Sequence, residues 1–227
     1  MLVVTLAACA LFATLGVWQW HRGVYRQAVW ERFQHDTSAP QAVAGAALAA
    51  LPRFTRVRVR GSFDAEHQIL LDNRSRDGRP GYEVLTPLSL EDGRTTLLVN
   101  RGWVAFSGYR DRLPDVTVVT EPVVTLDGRL DQLPTAGLAA GRAAPAAEGP
   151  WPRVTSFPTP AELSAVLGRA VADQQLLLDP LSGPGFERRW QPPGVEPTRN
   201  FSYAIQWWSF GAIALGLFVF LNLKRRR

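Results

Sequence analysis

The chain has 227 residues, 46% of them apolar, with a formal net charge of +5 and a pI near 10.1. That length supports one substantial core with appendages, not several independent domains. The basic residues are scattered among acidic ones, so the charge does not point to nucleic acid as a partner. A single cysteine, Cys9, inside an apolar run, leaves no disulfide framework, no Cys-based metal cluster and no thiol pair for redox work.

From Leu2 to Trp20 no charge interrupts the sequence. As a helix this stretch measures roughly 28 Å, close to the hydrocarbon thickness of a bilayer. Trp18 and Trp20, then His21, Arg22 and Arg26, form an interfacial belt at its far end. Leu6-Ala7-Ala8-Cys9 resembles a lipoprotein processing site but lacks the charged start and long apolar lead of a signal peptide, so a retained span is the better reading. Tyr203 to Leu223 is a second apolar stretch, with Trp207 and Trp208 near its start and Lys224-Arg225-Arg226-Arg227 at its end. Two spans put both termini on one side, and the basic cluster marks that side as the cytoplasm. Arg22, Arg26 and Arg32 after the first span argue the other way; the terminal cluster outweighs them. The expected division is a span over 1–22, an extracytoplasmic domain over 23–200, a span over 201–223 and a basic tail over 224–227.

After the first span, Val24, Tyr25, Ala28, Val29, Arg32 and Phe33 recur at roughly helical spacing, which extends that helix toward Asp36. A short alanine-rich helix is expected over Gln41 to Leu51. The period then changes. Residues 54–63 alternate apolar and polar as a half-buried strand does, with Phe54 out of phase with Val57 and Val59. Further strands are expected at His67–Asp72, Tyr82–Leu88, Thr95–Val104, Val116–Val119, Val123–Leu130 and Gln174–Asp179. Turn signals stand at 77–81, 91–94 and Asp127-Gly128. The pattern predicts a membrane protein with two transmembrane helices flanking a β-rich α+β domain, its antiparallel sheet barrel- or sandwich-like. Residues 133–150, rich in Ala, Gly and Pro, read as a flexible loop. Thr159-Pro160-Ala161-Glu162 is a capping box with proline at N1, opening a helix to about Gly168.

Catalytic constellations are absent from this pattern. No HExxH, Gly-x-Ser-x-Gly elbow, P-loop or dinucleotide fingerprint occurs, and there are three histidines, His21, His35 and His67. The chain is not expected to be an enzyme. Asn100-Arg101-Gly102-Trp103 closes an apolar strand at a glycine that permits a kink or bulge. Tyr82, Arg101 and Trp103 there either pack in the core or form a docking face for a partner.

Five segments together resemble the surfeit locus protein 1 family of cytochrome c oxidase assembly factors. They are Leu15-Gly16-Val17-Trp18-Gln19 with Arg22, Val59-Arg60-Gly61-Ser62-Phe63, Pro80 to Pro87 (PGYEVLTP), Leu97 to Val104 (LLVNRGWV) and Ser202-Tyr203-Ala204-Ile205-Gln206-Trp207. The resemblance implies a multi-pass protein of the bacterial inner membrane, its main domain periplasmic, that assists insertion of haem a into the oxidase catalytic subunit. The implied partners are that subunit, haem a synthase and the lipid bilayer. A haem-independent scaffold acting by protein contacts alone is the alternative. With one lysine among 25 basic residues, the chain looks like the product of a GC-rich genome, which agrees with a bacterial source.

Haem-binding members of the family carry a histidine just before the last span; the aligned position here is Asn200, and asparagine is a poor ligand for haem iron. Any haem a bound here is expected against Tyr203 and Trp207, which share a helix face with Asn200, with Arg22 and Arg199 on the propionates. His21 is the candidate iron ligand. The same residues also read as ordinary belt residues. Gln206 and Ser209 are expected to hydrogen-bond the first helix.

Overall fold

A computed structural model of the chain describes residues 2–35, 38–119, 121–136 and 143–224. It divides into two compact units. One comprises residues 1–35 and 191–227, the other residues 36–190.

The first unit is a pair of long helices, α1 (Leu2–His35) and α4 (Pro197–Lys224). Both are long and apolar enough to cross a membrane. α1 continues well past Trp20 as its helical spacing predicts. Proline opens α4, where a missing N–H costs nothing.

Among its described residues the second unit has eight strands and two short helices: β1 (Gln41–Ala42), α2 (Gly45–Leu48), β2 (Arg56–Phe63), β3 (Ile69–Arg76), β4 (Arg79–Leu90), β5 (Thr96–Ala105), β6 (Val124–Gln132), β7 (Arg153–Thr155), α3 (Pro160–Leu167) and β8 (Val171–Leu178). The strand order is β1-β2-β6-β8-β5-β4-β3-β7, and a further pairing of β2 with β4 closes β2, β6, β8, β5 and β4 into a five-stranded barrel. Alternation in β2 places Val57 and Val59 inside and Arg58 and Arg60 outside. The barrel interior is filled by those valines with Leu88, Leu90, Leu97, Val99, Leu126, Leu130, Leu176 and Leu178, and Leu48 of α2 packs against them. β5 is buried on both faces. Its Leu98 joins Ile69, Leu71 and Leu85 beneath Leu163 of α3. Burying that one leucine contributes roughly 2 kcal/mol and seats the helix. The predicted capping box forms, with Glu162 N–H donating to Thr159 Oγ1 at 3.2 Å and Thr159 N–H to Glu162 at 2.8 Å.

Several expectations are corrected. The sheet is mixed, because β1 with β2, β3 with β7 and β5 with β8 run parallel. The last of these pairings uses a connection long enough to return β8 in the same sense as β5. Residues 41–51 form a two-residue strand and a single helical turn, because Val43 N–H is taken by Arg58 O at 3.0 Å before a helix can start. Val116–Val119 is not a strand; Val116 and Val118 lie in irregular chain and are buried, Val116 against Leu70, Tyr82 and Val84. Asp127-Gly128 is not a turn but the middle of β6, where a Cβ on Gly128 would stand 2.5 Å from Leu177 O of β8. β7 has no sequence signal of its own. The centre of the expected loop, 137–142, lies outside the described residues, as do Arg225 to Arg227; Ala143, within that loop, is tied to Ser156.

Candidate functional site

Within the helix pair, residues 100° apart along each helix sort into faces. The α1 stripe Phe12, Gly16, Gln19 and Gly23 meets the α4 stripe Asn200, Phe201, Ala204, Trp207, Trp208 and Gly211, and the two helices run antiparallel. A Cβ on Gly16 would lie 2.2 Å from Trp208 Nε1, and one on Gly23 would lie 2.7 Å from the Phe201 ring, so each glycine is the seat of an aromatic side chain. The two seats are seven residues apart on both helices, which keeps them on one seam. Trp20 fits between Phe201 and Trp208, with ring centroids at 4.9 and 5.8 Å. On the other flank Trp207 stacks on Phe12 at 5.8 Å and meets Phe210 edge-on. Between these aromatic groups, Asn200 Nδ2 donates to Gln19 Oε1 at 2.7 Å. Asn200 is 8% exposed, and its Oδ1 is buried with no hydrogen-bond partner among the described residues. Arg26 and Trp30, further along the same α1 stripe, donate to the carbonyls of Val195 (3.0 Å) and Pro193 (3.3 Å), holding the chain that enters α4.

The residues expected around a haem are distributed otherwise. Trp207 and Asn200 come together against α1, but both are used up in joining the helices. Tyr203 is 52% exposed beside that seam. Arg22 is exposed and stacks over Trp18 of its own helix at 5.7 Å. Arg199 is exposed one position from the buried Asn200. His21 is exposed and lies two residues, about 200°, around α1 from Gln19, on the side away from α4. Gln206 and Ser209 do not bond α1: both are exposed on the far side of α4, and Ser209 Oγ donates to Ile205 O of its own helix at 2.9 Å. The geometry therefore does not fit an axially ligated haem iron in the helix pair. Its one buried orphan among the described residues is an amide oxygen, its aromatics are interlocked and the His21 imidazole faces away. Among the described residues no group of three His, Cys, Asp or Glu is placed to hold a metal ion.

In the barrel unit, Tyr82, Arg101 and Trp103 are 1, 2 and 5% exposed, so as folded they offer no open docking face. Arg101 is the centre of a polar cluster. Its Nη1 donates to Gln68 Oε1 (2.9 Å), Val116 O (2.9 Å) and Thr86 Oγ1 (3.3 Å), its Nη2 to Thr117 O (3.4 Å) and its Nε to Pro184 O (3.3 Å). No carboxylate pairs with it among the described residues. Burial, and secondarily the nearby Arg188 charge, pushes it down to about 10, so it stays charged at neutral pH. Beside it Asn100 Nδ2 donates to Glu83 Oε2 at 2.8 Å and to Gln175 Oε1 at 3.3 Å. Trp103 Nε1 donates to Arg74 O at 2.9 Å, with the Arg76 and Arg79 guanidiniums over its ring.

The sequence matches the SURF1 family over residues 6–212, which takes in most of α1, the whole barrel unit and the first half of α4. The chain belongs to the SURF1 family. It is 31% identical over 200 residues to uncharacterized SURF1-like proteins of Mycobacterium tuberculosis and Mycobacterium bovis, covering 86% of this chain and 66% of each relative. It is 35% identical over 102 residues to a SURF1-like protein of Dictyostelium discoideum, covering 40% of this chain and 37% of that one. The chain thus spans just under two thirds of the length of its mycobacterial SURF1-like relatives.

The barrel segments that carry the SURF1 resemblance fall on adjoining strands. Val59–Phe63 lies in β2, Pro80–Pro87 in β4 and Leu97–Val104 in β5, with β4 paired to both of the others. Their glycines mark close approaches. A Cβ on Gly61 would be 2.4 Å from Ser89 O, and one on Gly81 2.4 Å from the Trp103 ring. The sequence reading missed Gln19, Gln68, Thr86 and Gln175 as partners of Asn200, Arg101 and Asn100. Gln19 and Thr86 lie inside segments that carry the family resemblance, but nothing local singles out Gln68 or Gln175, and each of the four acts through a contact distant in sequence.

Proposed function

We propose that this chain is a membrane-anchored assembly factor for a haem–copper terminal oxidase, acting when haem a enters the catalytic subunit. SURF1 membership across nearly the whole chain supports the oxidase reading. Two helices of spanning length at the two ends support the anchor. In this reading α1 and α4 cross the bacterial inner membrane and the barrel unit lies on its periplasmic side, with the basic C-terminal tail in the cytoplasm. The partners are the catalytic subunit and, upstream of it, haem a synthase. The chain acts as a binding factor and not as an enzyme.

A specific observation favours action by protein contacts over direct carriage of the cofactor. Asn200 is engaged by Gln19, and the aromatics that would line a macrocycle are packed into the helix seam. The chain then serves as a scaffold that holds the catalytic subunit open to haem a delivered by another protein. Deleting the gene tests the function. The expected result is lowered haem a occupancy and activity of an aa3-type oxidase with unchanged subunit transcription. Full haem content in a strain without a paralogue would overturn it. Topology is tested by fusing a periplasm-active reporter at Ala139-Ala140, where an inactive fusion would reverse the orientation.

A further inference from the structure

α4 carries a second seam that its pairing with α1 does not use. Ser202, Gln206, Ser209, Ile213, Gly216 and Phe220 recur at alternating steps of four and three residues. At 100° per residue they fall within about 40° of one line, on the side opposite Asn200, Ala204 and Gly211. All six are exposed. Two of them have no explanation in the helix pair. A Cβ on Gly216 would meet nothing within 4 Å, so α1 does not require a glycine there. Gln206 carries a primary amide on the outward face of an apolar helix. Counting about twenty residues back from Lys224 puts it inside the outer edge of the hydrocarbon, where an unpaired amide is costly.

We infer that this seam binds the same seam of a second copy of the chain, forming a parallel α4–α4 pair. The inference rests on the membrane reading above. Copies inserted with the same topology and related by a two-fold axis along the membrane normal present each residue to its own counterpart at the same depth. Gln206 therefore meets Gln206. A carboxamide is self-complementary, since each Nε2–H donates to the other Oε1 and both groups are satisfied at once. One polar residue on an otherwise apolar heptad seam is also the usual device for fixing register. Gly216, ten residues deeper, leaves a notch in each helix that lets the two backbones approach.

The test is disulfide cross-linking of the full-length chain in native membranes, in a Cys9→Ala background. Gly216→Cys and Ser209→Cys should give a covalent band at twice the monomer mass, whereas Leu215→Cys and Val219→Cys, off the seam, should not. Adding Gln206→Leu should lower the dimer fraction through position 216 about fivefold, and Gln206→Asn should restore part of it. Carbonate extraction is run alongside. A chain released by carbonate overturns the membrane reading and this inference with it. A carbonate-resistant chain that stays monomeric, cross-links equally off the seam, or joins a polypeptide of another mass overturns this inference alone.

Discussion

Asn200 Nδ2 lies 2.7 Å from Gln19 Oε1, a hydrogen bond between side chains 181 residues apart that ties the mouth of α4 to α1. It occupies the amide at the position where haem-binding relatives are expected to carry an iron ligand. Chain purified from cells that make haem a should therefore show no six-coordinate low-spin spectrum arising from the helix pair, and His21→Ala should leave the spectrum unchanged. A six-coordinate signal lost in His21→Ala would contradict this. Gln19→Leu should loosen the helix pair by about 1 kcal/mol, read as a lower SDS midpoint for unfolding in mixed micelles.

Arg101 joins the start of β3, the middle of β4, the irregular chain at 116–117 and the loop at 184 through five donated hydrogen bonds. Truncating it removes donors from several buried acceptors at once. Arg101→Ala should therefore cost roughly 3 kcal/mol or more in stability. Arg101→Lys should recover only part of this, because an ammonium cannot reproduce the planar fork that reaches Gln68, Thr117 and Pro184 together. Thermal unfolding of the two variants in detergent measures the difference; equal and small losses would deny Arg101 this role.

Acid should weaken the barrel unit through Asp64. Its carboxylate accepts the backbone N–H of Glu66 and His67, both at 3.2 Å, His67 Nδ1 at 2.9 Å, and the Arg169 guanidinium. Burial works to raise this carboxyl, but the bonds and charges of His67 and Arg169 outweigh it and hold it below its ordinary value. A depressed carboxylate stabilises the fold fully above its unfolded value near 3.9 and loses that contribution as pH falls through the lower folded value. Asp64→Asn should be less stable than the parent at pH 6, and the gap should close as pH falls below the ordinary carboxylate range and through the lowered folded value. A gap independent of pH would assign the loss to packing instead.

What the sequence disclosed followed the range of the contacts involved. The two long helices, α3 with its capping box, and most barrel strands are set by local period and local caps; Thr159, Glu162 and the 91–94 turn stand where they were read, while the turn read at 77–81 is confined to 77–78 because β4 starts at Arg79. The sequence left barrel and sandwich open, and the β2–β4 pairing that decides for the barrel was hidden, because those strands meet only through register across some thirty residues of chain. The parallel β5–β8 pairing was hidden for the same reason. Asp127-Gly128 misled because glycine there serves the close approach of β8 and not a turn. In the helix pair, the aromatic and glycine positions were visible as belt residues and a motif. Which face each used depended on the partner helix, so Gln206 was expected to bond α1, whereas Asn200 makes that contact and Gln206 stands on the opposite side of α4.

Closure of the barrel offers a last test at Gly61, where β2 leaves β6 and crosses onto β4. Gly61 pairs with Val124 on one side and Leu90 on the other, and a Cβ there would stand 2.4 Å from Ser89 O and 3.1 Å from Leu88 Cγ. The obstacle is a backbone carbonyl, which cannot rotate away as a flexible side chain would, so the strands themselves must separate. Gly61→Ala should cost roughly 1–3 kcal/mol, as overpacking of a closed interior does. The damage should be local. Hydrogen exchange followed by mass spectrometry should show faster exchange in peptides covering Gly61–Phe63 and Leu88–Leu90. The β3–β4 hairpin around Asp77-Gly78 should keep its protection. Uniform acceleration across the barrel unit, or none at the β2–β4 pairing, would show that closure at Gly61 is not where the barrel is held.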